Sequence, residues 1–270
     1  MITARNYINQ AKLDLKVVRN NTFLKGKSTS NIDAILGLMN NAQHFAMPDN
    51  GLILDNHCEG LYDKPFHLPY PTITIEFFIN KPNGFFNKAI IVCTEKDNMI
   101  EAYSIMYSIE MKVWHLMSLG TAISCDKPFT EKGLNYHELL ANDYEEAVAK
   151  VGDNIFKEVV RGFVQRPLME MLQALTCKNI YINSLEFIDP KKNERRIKAG
   201  KLPFYETKIL CVKSTGSEID KTHKGGTHAS PRQHLRRGHI RRYATYNIWI
   251  NSQIIGKSSN GIISKSYEVR

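Results

Sequence analysis

Residues 4–18 place Ala4, Tyr7, Ile8, Ala11, Leu15 and Val18 at three- and four-residue steps, the period of a helix with one apolar face. A second helix is read over 28–47, with Ser30 as N-cap and Asp33 near the positive end of its dipole. "PDNG" at 48–51 breaks that pattern, and from Leu52 to Ser124 the period shortens towards two. Strands are expected at 70–80, 88–95, 99–110 and 112–124, rich in β-branched and aromatic residues, with "KPNG" as a turn. Their alternation is imperfect, which predicts an antiparallel meander partly covered on both faces. The prolines of "HLPYPTITIEF" read as a turn leading into its first strand.

A helical period returns over 143–179, through Ile155, Val159, Val160, Phe163 and Val164, then Leu168, Met171, Leu172 and Leu175. Pro167 lacks a backbone donor and is expected to kink or split this helix; Asn179 is expected as its left-handed C-cap. The last third reads as a strand at 179–188, then a short basic helix with Asp189 as N-cap, Pro190 at the first helical position and Gly200 as C-cap. A strand at 204–213 follows, then a loop of about twenty residues, a length that in a compact domain is functional or disordered. Three strands close the chain at 234–243, 246–255 and 261–270.

The fold class expected is α+β: N-terminal helices and an antiparallel β meander, a central kinked helix, and a basic C-terminal antiparallel β module. Divisions are placed at 1–50, 51–186 and 187–270, the last two separate or packed as one domain. With 270 residues and 43% hydrophobic content the chain can bury a sizeable core. No window approaches the roughly 18 apolar residues of a membrane span, and the charged N-terminus does not read as a secretory signal. The five cysteines are widely spaced without a CxxC pair, so a reducing cytosol is expected, each thiol a small buried hydrophobe.

Charge changes the picture most. The chain carries a net +9, yet residues 191–270 hold 18 Lys and Arg against 5 Asp and Glu, a net +13 beside a mildly acidic remainder. Such asymmetry points to a polyanionic partner, with a solvated basic face as the plain alternative. Within 226–242 lie His228, His234 and His239 and five arginines. In one extended strand, His234, Arg236, Gly238, Ile240 and Arg242 would share a face, and Leu235, Arg237, His239, Arg241 and Tyr243 the other. A bulge at Gly238 would shift that phase and let His234 and His239 converge.

Three readings of this stretch stand side by side. As a nucleic-acid surface, Arg232, Arg236, Arg237, Arg241 and Arg242 meet phosphates and Tyr243 or Tyr246 stacks on bases, with Lys191, Lys192, Arg195 and Arg196 of the basic helix contributing. As a metal-independent phosphodiesterase, His234, His239 and His228 move protons while Arg232 and its neighbours stabilise charge. The order of elements loosely resembles small microbial ribonucleases and RelE-type mRNA interferases, an analogy of architecture alone. As a metal site, His223, His228, His234 and His239 with Cys211 match no familiar zinc spacing, so no metal or cofactor is expected. An acidic host or phage protein is a further partner class. "DNHCEG" at 55–60, with His44 and Asp49 upstream, is a thinner cluster explained by turn chemistry.

"LPYPTITIEF", "KKNERRIKAGKLPFYETKIL", "THASPRQHLRRGHIRRY", "IWINSQIIG" and "GIISKSYEV" together resemble a group of phage- and prophage-encoded proteins. Its shared core is Pro-Arg-x-His-x-Arg-Arg-Gly-His-x-Arg followed by a Trp-containing strand. Here these are Pro231, Arg232, His234, Arg236, Arg237, Gly238, His239 and Arg241, with Trp249 after them, and the match covers roughly 65–80 and 190–268. The resemblance brings no activity with it. It implies a virus-encoded protein of the host cytoplasm and sets His234 and His239 above His223.

Overall fold

The computed structural model describes residues 6–20, 29–53, 66–80, 85–117, 119–125, 136–140, 149, 152, 161–185, 188–213, 232–236, 239–250, 253–255 and 257–262. At 29, 119, 136–140, 161, 232–236, 253–255 and 257–262 only the backbone is described. The chain is α+β. Two helices, α1 (Tyr7–Asn20) and α2 (Thr29–Asn41), precede β1 (Gln43–Ala46). The meander follows as β2 (Thr72–Phe78), β3 (Phe86–Lys96), β4 (Met99–Ser108), β5 (Val113–Leu116), β6 (Leu119–Ser124) and β7 (Tyr136–Leu140). Next come a π-helical turn (Arg161–Gln165), α3 (Arg166–Leu175), β8 (Ile180–Ser184), α4 (Pro190–Lys198) and β9 (Thr207–Val212). The C-terminal strands are β10 (Arg232–Arg236), β11 (His239–Arg242), β12 (Asn247–Ile250), β13 (Gln253–Ile255) and β14 (Lys257–Ile262).

The helix expected over 28–47 stops at Asn41, and Ser30 lies inside its first turn. Gln43–Ala46 becomes a strand instead. β1 pairs in parallel with β2 (His44 opposite Thr74) and in parallel with β9 (His44 opposite Thr207). Tertiary pairing on two edges overrides a helical period that four residues could not sustain alone. The nine-stranded sheet runs β7-β6-β4-β3-β2-β1-β9-β8, with β5 also on β4. From β2 through β7 its pairings are antiparallel, as the meander predicts.

The chain forms two compact units, one of Met1–Ile53, Cys58–Gln173 and Ile182–Leu210, the other of Leu54–His57, Ala174–Tyr181 and Cys211–Arg270. In the first, Ile90 and Val92 of β3 and Ile105 of β4 meet Ile8, Ala11 and Leu15 of α1 and Ile32, Ile35 and Met39 of α2, with Trp114 of β5. Ala89, Ile91 and Cys93 alternate with Ile90 and Val92, and they too are fully buried. On their face Gln165 of the π-helical turn donates to Thr121 of β6 at 3.2 Å. Coverage of both faces explains why period-two alternation in the sequence is imperfect. The edge strand β5 is held by α1, whose Asp14 carboxylate accepts the Trp114 backbone N–H at 3.0 Å.

Punctuation residues behave as their chemistry predicts at most sites. Asp189 caps α4, its carboxylate accepting from Lys191 N, with Pro190 at the first position, and Gly200 adopts φ +68° beyond the helix end. Pro167 falls at the junction of the π-helical turn and α3, where its missing donor is tolerated. Asn179 is not a left-handed cap; its side chain does other work, described below. Asp97 and Asn98 both have positive φ and close β3 onto β4, the geometry of a two-residue hairpin turn. The strand expected over 261–270 begins earlier, at Lys257; the loop read over 214–233 gives Arg232 and Gln233 to β10, while 214–231, "KPNG" and "DNHCEG" lie outside the described residues.

Beneath α1 the sheet gathers a polar group of four side chains, three of them buried and Tyr205 half-buried. His44 Nδ1 and Thr74 Oγ1 are hydrogen-bonded at 2.7 Å, and the Tyr205 ring meets the His44 ring edge-on at 4.6 Å. The Tyr205 hydroxyl donates to Glu76 Oε2 at 2.9 Å and accepts the Ile8 backbone N–H at 3.3 Å. Burial pulls the His44 pKa down to about 4, and the nearby Lys12 ammonium adds to the effect. Burial, and then the Glu76 carboxylate, push the Tyr205 phenol up.

Two outcomes follow. Folding favours neutral His44, so the unfolded chain binds the extra proton between its ordinary pKa of 6.5 and about 4. Stability is therefore intact above that window and lost as pH falls through it. Replacing His44→Gln should flatten the slope there by up to about 1.4 kcal/mol per pH unit, read from denaturant melts between pH 4.5 and 7. Gly51 holds φ +65°, and a Cβ there would lie 2.7 Å from Pro167 Cβ. Gly51→Ala should cost about 1–3 kcal/mol in the same melts.

Candidate nucleic-acid interface

The strand read over 234–243 is described as two segments, β10 and β11. β10 pairs with β13 antiparallel and with β14 in parallel, with an irregular register between Arg232 and Gln233. β11 pairs only with β12 among the described strands, as a two-stranded antiparallel sheet. The two segments serve different partners, and the residues that join them, 237–238, lie outside the described residues. The side chains of Arg232, His234 and Arg236 lie outside the described residues, as do His228, Arg237 and Gly238 altogether. His239 opens β11 opposite Ile250 and is half-buried.

The hairpin β11–β12 is where predicted residues come together. Its register sets Ile240 opposite Trp249 and Arg242 opposite Asn247, so Tyr243 and Tyr246 face each other across the turn. The turn is closed by the Tyr243 backbone N–H donating to the Tyr246 carbonyl at 2.8 Å. The two rings stack with centroids 4.7 Å apart and planes 23° from parallel. Arg241, two residues before Tyr243 and so on its face, sets its guanidinium carbon 5.1 Å from the Tyr243 ring. Lys178 sets its ammonium 4.0 Å over the Tyr246 ring. The result is a four-member cluster: two stacked rings, each with a cation beside it. Arg241, Arg242 and Tyr243 are exposed, Tyr243 by 41%. Tyr181, also exposed, carries Lys213 Nζ 5.8 Å from its ring.

Asn179 is what holds this hairpin. Its side-chain amide donates to the Trp249 carbonyl at 2.8 Å, and its side-chain oxygen accepts the Trp249 N–H at 2.8 Å. One carboxamide thus stands in for a strand neighbour on β12. Around it, Lys178 N donates to the Asn247 carbonyl at 3.0 Å, Asn247 Nδ2 to Thr176 Oγ1 at 3.0 Å, and Lys213 N to the Asn179 carbonyl at 2.7 Å. These bonds also deliver Lys178 to the Tyr246 ring. Lys178 was absent from the residues expected from sequence; nothing in the local pattern links it to Tyr246, so far along the chain.

The basic helix α4 belongs to the first unit. Lys191, Lys192 and Arg195 are exposed along it. Arg196 is half-buried and engaged locally, its guanidinium 4.0 Å over the Phe204 ring and its Nε donating to the Leu202 carbonyl at 2.9 Å. Asn193 grips the same loop, donating to the Phe204 carbonyl at 2.9 Å and accepting its N–H at 2.7 Å. Among the described cysteines no disulfide forms, and Cys93, Cys125 and Cys177 are buried while Cys211 is partly exposed. No helix among the described residues is long and apolar enough to cross a membrane. No protein-family model, no curated protein and no solved structure matches the chain.

Asn179→Ala removes both bonds to Trp249 at a buried site. It should destabilise the second unit by about 2 kcal/mol, the usual cost of depriving buried backbone groups of a partner. The readout is a lower midpoint in Trp fluorescence melts, with Asn179→Asp also destabilised because it lacks the amide donor.

Proposed function

We propose that this protein binds nucleic acid through its basic C-terminal unit, with the β11–β12 hairpin as the contact surface. The cluster of Arg241, Tyr243, Tyr246 and Lys178 carries this reading. Tyr243 is 41% exposed beside the planar Arg241 guanidinium, so aromatic and cationic surface together are open to a base, and stacking needs no particular sequence. The flanking cations serve twice, polarised against the rings and within reach of phosphates. Arg242, exposed beside them, adds a phosphate contact, and residues 211–270, with 11 Lys and Arg against 3 Asp and Glu, supply the long-range attraction. A ring that is already stacked and flanked by charge loses little freedom when a base arrives, so the surface is pre-organised. Unpaired bases suit it best, since a duplex hides their faces. On this reading the chain is a phage-encoded protein of the host cytoplasm, as the resemblance of its "PRQHLRRGHIRR" core implies.

Fluorescence anisotropy with a labelled single-stranded oligonucleotide tests it. Affinity should fall steeply with salt, and Tyr243→Ala, at an exposed position, should weaken it about 5–150-fold, matching about 1–3 kcal/mol per stacked base. Arg241→Ala should lower the log–log salt slope by about 1. Binding indifferent to salt, or unchanged in Tyr243→Ala, would sink the proposal. Capture of an acidic protein that nucleic acid does not displace would point to the other partner class.

A further inference from the structure

At one end of the first unit's sheet, three segments far apart in sequence bring together an imidazole, a carboxylate and a thiol. His67 lies in the turn before β2, Glu95 near the end of β3, and Cys125 just beyond β6. Their donor atoms all lie within 4.8 Å of one another. From this juxtaposition we infer a binding site for a thiophilic divalent cation of the zinc type, held by His67, Glu95 and Cys125.

The backbone holds each donor in place independently of the others. Glu95 N–H donates to the Pro71 carbonyl at 3.0 Å, tying β3 to the turn that carries His67. Leu68 N–H donates to Glu95 Oε2 at 2.7 Å, which occupies one carboxylate oxygen and aims the other, Oε1, at His67 Nδ1, 2.7 Å away. Cys125 N–H donates to the Asn98 carbonyl at 2.8 Å, and Asn98 belongs to the tight β3–β4 turn that also ends the strand bearing Glu95. A surface His–Glu contact alone contributes little and needs no third member. Here a buried sulfur backs an exposed imidazole, whose side chain is 60% accessible.

Donor chemistry decides the class of ion. One nitrogen, one oxygen and one sulfur suit zinc, while magnesium and calcium require oxygen shells. Carboxylate and thiolate together carry two negative charges, matching a divalent ion. Neighbouring ligands around tetrahedral zinc sit about 3.3 Å apart, given bond lengths of about 2.0–2.3 Å. Cation entry would spread the His67–Glu95 pair by roughly half an ångström, a movement the exposed His67 can make. Three protein donors, of which the His67 imidazole is exposed, leave a fourth position for a solvent ligand, the pattern of an open rather than a sealed site. Binding displaces the thiol proton and so weakens as pH falls.

Cobalt(II) titration of the full chelator-treated chain reads the site directly. One equivalent should bind with a sulfur-to-cobalt charge-transfer band in the near ultraviolet, and zinc should bleach it. Cys125→Ser should abolish that band. His67→Ala, at an exposed position that does not threaten folding, should weaken binding by more than the roughly 10–100-fold that loss of an outer-shell partner costs. Should Cys125→Ser fail to fold, the His67→Ala result decides alone. Absence of stoichiometric binding, or an unchanged band in His67→Ala, overturns the inference; the latter would place the cobalt on other thiols and imidazoles of the chain.

Discussion

β1 is only four residues long, yet its backbone is paired on both edges, to β2 and to β9. A buried strand with either edge open would strand peptide groups that cannot reach water. Residues 43–46 and 207–208 therefore depend on each other across more than 160 positions of chain. That mutual requirement is what carries the meander on to the strands that follow α4. It also sets the register that brings His44 over Thr74 and Tyr205 over Glu76.

The polar group beneath α1 is the consequence. A carboxylate in the middle of a sheet is tolerated because a phenol meets it, and the phenol in turn accepts a helix N–H from Ile8. The same contacts fix α1 over the sheet alongside its apolar stripe of Ile8, Ala11 and Leu15. Polar geometry and apolar burial agree on one position for the helix, which is how a sequence specifies a single packing.

The second unit solves a smaller problem by a similar device. A lone two-stranded hairpin is marginal in water. Asn179 supplies the missing neighbour through a single side chain, and the isolated bridge from Cys177 to Asn247 extends it. The same contacts lead into the turn, where two tyrosines stack with a cation beside each. Stability and the proposed binding surface thus share the same few bonds.

Much of this protein was legible in its residues. Helical spacing from Tyr7 to Val18, alternation from Thr72 to Ser124, the cap and stop of α4 at Asp189 and Gly200, and the basic final third all follow from local pattern. Local chemistry acts over a turn or a strand length, and those features need no more. The strand at Gln43–Ala46 was hidden, because its apolar spacing continues that of α2 and only distant partners choose the extended form. Asn179 looked like a cap, because a carboxamide suits either role and the position of Trp249 alone decides between them. The meeting of His67, Glu95 and Cys125 had no motif to announce it. Sequence by itself determined the elements and the sign of the charge; tertiary structure decided which residues share a site, since that depends on pairings between segments that carry no record of each other.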